Sequence, residues 1–382
     1  EETKTRKFNV LQIVPSLDCG GVERGTIDIA KALYESGNGA FIITKGGSLC
    51  SSLGDLPCKL IKHNVSSKNP ITIYRNISFI EKFIKENKID IVHARSRAPA
   101  WSAYFACKRS GVKFVTTFHG VYGIKSWFKR LYNSVMVKGE RVIAVSNFVK
   151  EHIKANYECD LSKVSVIYRG VDLEAFNPEN IDNTNIKKLE EKYNISKSAP
   201  IILMPSRMTS WKGQNILIEA LAKLKSEGFF CILVGDLSKH PDYVDRLKDL
   251  IVKNKLQSKV QIYGPEKNLT DLYKLSSIVI SASIEPEAFG RTVVEAQAMK
   301  KIVIATNIGG AAETVEDKKT GFHVIPSNPD DMAEKIKYAL GILGTDEEKL
   351  ITESARKSVS ENFSLKKMQQ DTIEIYKSLI SG

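Results

Sequence analysis

Short apolar runs of five to seven residues alternate along the chain with stretches whose apolar positions recur every three or four residues, and this happens twice over. FNVLQIV, AFIIT, IDIVHA, KFVTTFH and RVIAVS read as strands in the first half, and IILMPS, FFCILVG, KVQIYG, IVISAS and IVIAT in the second. Their apolar residues follow one another instead of alternating with polar ones, as in parallel strands buried on both faces. With helical periods between them, they predict an α/β fold of two doubly wound domains laid end to end. The join reads as residues 177–198, NPENIDNTNIKKLEEKYNISKS, polar and rich in Asn. We therefore expect a first domain over 1–176 and a second over 199–364. The amphipathic stretch at the end, a helix over 365–382, is expected to pack back on the first domain.

A length of 382 residues suits two domains, each with a sizeable core. The net charge of +12 is unevenly placed: residues 1–170 hold 27 Lys+Arg against 14 Asp+Glu, and the rest of the chain is nearly balanced. Residues 91–150 hold 11 basic residues and one acid, Glu140, which predicts an acidic partner for that segment. Cys19, Cys50, Cys58, Cys107, Cys159 and Cys231 form no C-x-x-C pair and no metal-ligand spacing with histidine, so they read as reduced thiols of a cytosolic protein. No apolar run is long enough to span a bilayer, and the basic start runs straight into a strand, so a soluble or surface-bound protein is expected. The chain begins at Glu1 without a methionine, which reads as a processed or trimmed start.

Open parallel sheets bind ligands beyond the carboxyl ends of their strands, and two such domains would enclose a cleft. The candidate chemistry does follow strands. Gly20 and Gly21, after the first strand, let backbone approach a phosphate or sugar, although a plain strand-to-helix turn has the same look. In MPSRMTSWKGQNILIEAL, Arg207 and Lys212 flank a tight turn before Gly213; they suit a diphosphate, or are two solvated surface cations. PEAFGRTVVEAQAM places Glu287 on a loop and Glu295 just over one turn inside a helix beginning near Gly290. The plainer alternative for this pair is a capping carboxylate and an exposed helix residue.

Taken in order, Gly20-Gly21, Arg207 with Lys212, Glu287 with Glu295, and TNIGGAAETV resemble the retaining glycosyltransferases of the GT-B fold, the large family four group (glycosyl transferases group 1), of the bacterial lipopolysaccharide or glycolipid type. The resemblance covers essentially the whole chain. It implies two Rossmann-like domains facing across a cleft, a first for the acceptor and a second for the donor. It further implies that Glu295 binds the ribose of a nucleotide sugar, Glu287 the donor sugar, and Arg207 and Lys212 the diphosphate. The Phe289-Gly290 turn and the amides of Arg291, Thr292 and Val293 would complete the phosphate site. Arg291, where many relatives carry an aliphatic residue, is expected to point to solvent. His119, after a strand of the first domain, falls where the family places a histidine near the donor sugar and leaving phosphate, and a structural histidine is the alternative.

His93 and Arg95 also follow a strand. His93 reads equally as structural, and Arg95 as a contact for an acidic acceptor. In YGIKSWFKRLYNSVMVKGERV, Trp127, Phe128, Leu131, Val135 and Met136 form one apolar side of a predicted helix, with Lys125, Lys129 and Arg130 beside it. That mixture suits an anionic membrane surface, and a core-facing amphipathic helix is the alternative.

The activity expected is sugar transfer from a UDP- or GDP-linked donor to a glycolipid or glycan acceptor, in lipopolysaccharide or cell-envelope polysaccharide synthesis at the inner face of the cytoplasmic membrane. Retention is expected without a protein nucleophile, metal or cofactor, since no Asp-x-Asp pattern occurs and the two cations would carry the diphosphate. Rival readings are a GT-B epimerase or hydrolase of nucleotide sugars, and a basic nucleic-acid-binding protein. The second lacks any reading motif, so no nucleic-acid partner is expected. A nicotinamide dehydrogenase is disfavoured because neither half carries the dinucleotide glycine fingerprint.

Overall fold

In the computed structural model, residues 6–18, 20–54, 56–67, 69–124, 126–195 and 199–381 are described. The chain divides after Gly170 and again after Ser364. One unit takes the residues up to Gly170 together with those from Leu365 onward, and the other is Val171–Ser364.

The first unit holds a sheet of β1 (Asn9–Ile13), β2 (Gly39–Thr44), β3 (Lys59–Lys62), β4 (Ile91–Ala94), β5 (Lys113–Phe118), β6 (Arg141–Ala144) and β7 (Val164–Val166), in the order β3-β2-β1-β4-β5-β6-β7. The second holds β8 (Ile201–Pro205), β9 (Phe230–Val234), β10 (Val260–Tyr263), β11 (Ile278–Ser281), β12 (Ile302–Thr306) and β13 (Phe322–Val324), ordered β10-β9-β8-β11-β12-β13. Every pairing between these strands is parallel. The strand order therefore reverses between β1 and β4 in one sheet and between β8 and β11 in the other, and such reversals open a crevice at the carboxyl edge.

Burial on both faces explains why the central strands read as unbroken apolar runs. In β8, Ile202 and Met204 enter one core with Leu217, Ile280 and Ile304, while Ile201 and Leu203 enter a second with Ile232, Val279 and Val303. Three strands escape that pattern: β3 has a lysine at each end, and β7 and β13 have three residues each, all at or near a sheet edge.

The join differs from the expectation. Residues 171–195 belong to the second unit, and the polar stretch holds a helix, Asn183–Lys192, capped by the Asp182 carboxylate. Leu189, Tyr193 and Ile195 enter that unit's core, so a few apolar residues among many charges anchor what looks like a linker. The final helix, Leu365–Ile380, lies in the first unit, where Ile373 and Tyr376 share a core with Phe8, Val10 and Ile91.

The aromatic segment also differs. Its helix is only Trp127–Asn133, capped by the Ser126 hydroxyl, and a 3-10 turn, Ser134–Val137, follows. Val135 and Met136 are fully buried, whereas Trp127, Phe128 and Leu131 are 66%, 65% and 54% exposed. The single apolar side expected of all five is thus split, because Asn133, bonded to Arg97 and to the Gly123 carbonyl, turns the chain inward. Among the described residues no helix is long and apolar enough to cross a membrane.

Candidate active site

The loops after β8 and β11 build one cluster within the second unit. After β8 a 3-10 turn, Ser210–Lys212, ends in Gly213 at φ 77°, a left-handed conformation, and any side chain there would strike the Ala282 carbonyl just beyond β11. The two loops are joined further by the Ile284 amide, which donates to the Trp211 carbonyl at 2.8 Å. Buried Gln214 donates to the Ser206 hydroxyl at 2.9 Å and the Arg207 carbonyl at 2.8 Å, fixing the strand exit. Arg207 is exposed and lies 5.2 Å from the centre of the Trp211 ring, with the Lys212 ammonium 4.5 Å from it.

After β11 the chain reaches Gly290, at φ 83°, whose absent Cβ would lie 2.6 Å from that of Ala311. The helix Arg291–Ala298 begins there. Its Val293 amide is spent on the Gly290 carbonyl at 3.1 Å, so of the three amides expected to meet phosphate, Arg291 and Thr292 are the pair without a helical acceptor. The Thr292 hydroxyl ties this turn to the Pro205 carbonyl of β8 at 3.3 Å. The Phe289 ring is buried against Phe363, which leaves only its backbone for a ligand.

Both glutamates are held by neighbours. Glu287 Oε1 lies 2.7 Å from the Lys212 ammonium and accepts the Ser283 hydroxyl, while the Glu287 carbonyl accepts the Gly310 amide of TNIGGAAETV at 2.7 Å. The side chains of Lys212 and Glu287 are only 13% and 16% exposed, so Lys212 is no surface cation: the β11 loop closes over it. Burial lowers its pKa, against the opposing pull of Glu287. Glu295 accepts the buried Tyr273 hydroxyl on Oε2 at 3.0 Å and Arg291 Nη2 on Oε1 at 2.8 Å. Arg291 thus turns back along its own helix instead of out to solvent, because its four-residue spacing from Glu295 favours the pair. Burial, and then the Glu295 charge, hold the Tyr273 phenol well above its usual pKa, so it remains a donor.

In the first unit, Gly20 precedes the helix Gly21–Glu35, and the Glu23 carboxylate folds over the space a Gly20 side chain would fill, placing the chain's own acid at that helix start. Arg95 is buried under this helix, close to Gly25, and its Nε has no hydrogen-bond partner among the described residues. His93 lies between the Tyr376 and Thr117 hydroxyls, at 2.6 and 2.7 Å, which is a structural setting. His119 Nδ1 lies 3.2 Å from Arg169 Nη2. Trp127 and Phe128 stack on each other at 3.7 Å, beside exposed Lys129 and Arg130, and Lys125 lies outside the described residues.

Sequence reasoning missed Tyr273, Ser283, Trp211 and Arg169. Tyr273 sits in DLYKLSS and looks like any core tyrosine; Arg169, in YRGVD, looks like a surface cation. Neither stretch carries a local signal, since each partner comes from a distant element.

A profile described as glycosyl transferases group 1 matches residues 185–377, and one described as Glycosyltransferase Family 4 matches residues 19–175. A crystal structure of a glycosyltransferase from Rickettsia africae is 53% identical, covers 98% of this chain and 99% of its own, and has a TM-score of 0.93. The Anabaena protein Alr3699/HepE, solved in complex with UDP-glucose, is 25% identical, with coverage of 97% and 99% and a TM-score of 0.82. The Saccharomyces cerevisiae phosphatidylinositol N-acetylglucosaminyltransferase GPI3 subunit is 26% identical over 81% of this chain and 68% of its own length.

Proposed function

This chain belongs to the glycosyl transferases group 1 family, with the GT-B fold and glycosyltransferase activity, and from that premise we propose that it moves a sugar, with retention, from a nucleoside diphosphate donor to an anionic, lipid-linked acceptor. The observation that carries this reading is the cluster at the β8–β11 reversal: three cations, Arg207, Lys212 and Arg291, two carboxylates and a helix start, all within one unit. A nucleotide sugar has a diphosphate between two hydroxyl-bearing rings. Arg207, Lys212 and the amides of Arg291 and Thr292 suit the first, and Glu295 and Glu287 the rings on either side. The partner named in the Anabaena relative's complex is of the same chemical kind.

Glu287 is assigned to the hydroxyls of the donor sugar, with its Oε1 held by Lys212 and Ser283, so no carboxylate of the cluster is assigned as a nucleophile. We therefore assign a same-face displacement. The bond from the anomeric carbon to the diphosphate breaks with its electron pair leaving on phosphate, the bond to the acceptor oxygen forms, and the acceptor proton passes to the departing phosphate oxygen. Lys212 keeps two N–H groups for that oxygen while its third holds Glu287. This route invokes no metal.

The lipid-linked acceptor is supported by the exposed Trp127, Phe128 and Leu131 beside Lys129 and Arg130, and by the basic excess of residues 91–150. A lipopolysaccharide core or polyprenyl phosphate at the inner membrane face supplies both the anionic groups and the apolar surface. The test of the donor assignment is thermal denaturation with UDP-, GDP- and ADP-sugars. A donor at one hundred times its Kd stabilises by about 2.7 kcal/mol. No shift with any of the three overturns the assignment, and turnover of donor without acceptor transfers the protein to the hydrolases or epimerases.

A further inference from the structure

We propose that Arg169 is a positioning residue that fixes His119 as a neutral imidazole carrying its proton on Nε2, so that His119 meets a ligand oxygen as a hydrogen-bond donor and exchanges no proton in the transfer. The ligand in this statement rests on the glycosyl-transfer reading; the state of the ring does not.

Arg169 Nη2 lies 3.2 Å from His119 Nδ1 and 3.3 Å from the His119 carbonyl oxygen, so one guanidinium nitrogen serves both the ring and the backbone of the same residue. A guanidinium has only hydrogens to offer, so the nitrogen facing it is the bare one, and in a neutral ring the proton then sits on Nε2. An imidazolium would point a second N–H and a second positive charge at Arg169. Nε2 is closed to solvent and has no partner among the described residues, an orphaned donor that a ligand oxygen would satisfy.

The other groups facing this ring work in the same direction. Arg95 and His93 stand at the end of β4, and Tyr122 lies in the loop after β5, with its phenol pushed by burial up to about 12. None is an anion at neutral pH. Burial, then Arg169, Arg95 and His93, hold the His119 pKa well below the ordinary histidine value. A ring with Nδ1 engaged and Nε2 already protonated is neither a general base nor, when neutral, a useful acid. Toward a ligand oxygen that reaches Nε2, this ring can only donate a hydrogen bond.

The test uses the full chain with 15N-labelled histidine, the His119 signals being assigned by their loss in His119→Asn. Wild type is expected to keep the Nε2–H tautomer, without titrating, from pH 5.5 to 8. Arg169→Gln, whose amide can still donate to Nδ1, keeps that tautomer. Arg169→Leu mixes the two tautomers and raises the midpoint above that of wild type, while burial, Arg95 and His93 still hold it below the ordinary value of about 6.5. With UDP-glucose as the probe donor, kcat/KM of wild type stays flat from pH 6 to 8, whereas Arg169→Leu loses activity on the acid side. A wild-type ring protonated on Nδ1, a wild-type midpoint near 6.5, or an Arg169→Leu protein with an unchanged tautomer and midpoint would overturn the proposal. The NMR arm needs no substrate, so it stands or falls separately from the donor assignment.

Discussion

His93 Nδ1 lies 2.6 Å from the Tyr376 hydroxyl, a bond that joins the end of β4 to the final helix across 283 positions of sequence. With Nε2 engaged by Thr117, both ring nitrogens are used. Burial, and then Arg95, hold this ring's pKa well below the ordinary value, and His119 is displaced in the same direction. Below about pH 6.5 the unfolded chain therefore binds protons that the folded chain refuses, so stability falls as pH falls. The melting temperature is expected to drop between pH 6.5 and 5, each histidine contributing at most about 1.4 kcal/mol per pH unit. Tyr376→Phe should cost a further ~1–3 kcal/mol at neutral pH by stranding His93 Nδ1. Melting curves across pH check both, and a flat profile from pH 7 to 5 would contradict the first.

Lys212→Ala is expected to do two things. It leaves Glu287 enclosed without its cation, at the lower end of the ~3–5 kcal/mol typical of broken buried pairs, and it removes a charged contact to diphosphate worth about 1.5–3 kcal/mol. Lys212→Met combined with Glu287→Gln should recover most of the stability and none of the diphosphate binding. Denaturation and UDP calorimetry on both variants separate the effects, and unchanged UDP affinity would remove Lys212 from the phosphate site.

Glu295→Gln should weaken binding of the free nucleoside diphosphate by roughly ten- to a hundredfold, the equivalent of about 1.5–3 kcal/mol. Tyr273→Phe is expected to weaken it in the same sense, because the phenol orients the Glu295 carboxylate. Glu287→Gln should spare the free nucleotide and impair only the intact sugar donor. A 2′,3′-dideoxy nucleotide should be indifferent to both Glu295→Gln and Tyr273→Phe. Equal losses for Glu287 and Glu295 variants on both ligands would show the two roles to be wrongly divided.

Vesicle co-sedimentation tests the exposed aromatic pair. The protein should bind anionic vesicles more than neutral ones, added salt should weaken this, and Trp127→Ser with Phe128→Ser should weaken it further without changing UDP binding. Lys129 and Arg130 should each contribute about 1 kcal/mol near the surface. Failure of anionic vesicles to recruit the protein at low salt would favour a soluble acceptor and leave the donor site untouched.

Ten of the strands were legible, nine of them because burial on both faces writes near-continuous apolar runs; of the edge strands β10 alone was read, and β3, β7 and β13 are too short or too polar. The arrangement of Arg207, Lys212, Glu287 and Glu295 was legible because each pair is local, separated by one turn. Their surroundings were not. Nothing in TSWKGQ signals that the loop after β11 closes over Lys212, and the donors to Glu295 and His119 arrive from 22 and 50 residues away. Position 291 misled for another reason: an arginine near a helix start reads as solvated unless its carboxylate partner is known to be buried. The join at 177–198 looked like a linker because three buried residues, Leu189, Tyr193 and Ile195, are a faint signal among so many charges.

The return of the last helix to the first unit sets an order of events during synthesis on the ribosome. Most of residues 171–364 emerge before Ile373 and Tyr376 are made, so the second unit can begin to fold while the first still lacks part of its core. At 5–20 residues per second, the first sheet waits on the order of tens of seconds with the apolar surface that Ile373 and Tyr376 will cover open to chaperones. A released chain truncated after Ser364 should therefore present a protease-resistant second unit attached to a protease-sensitive first one.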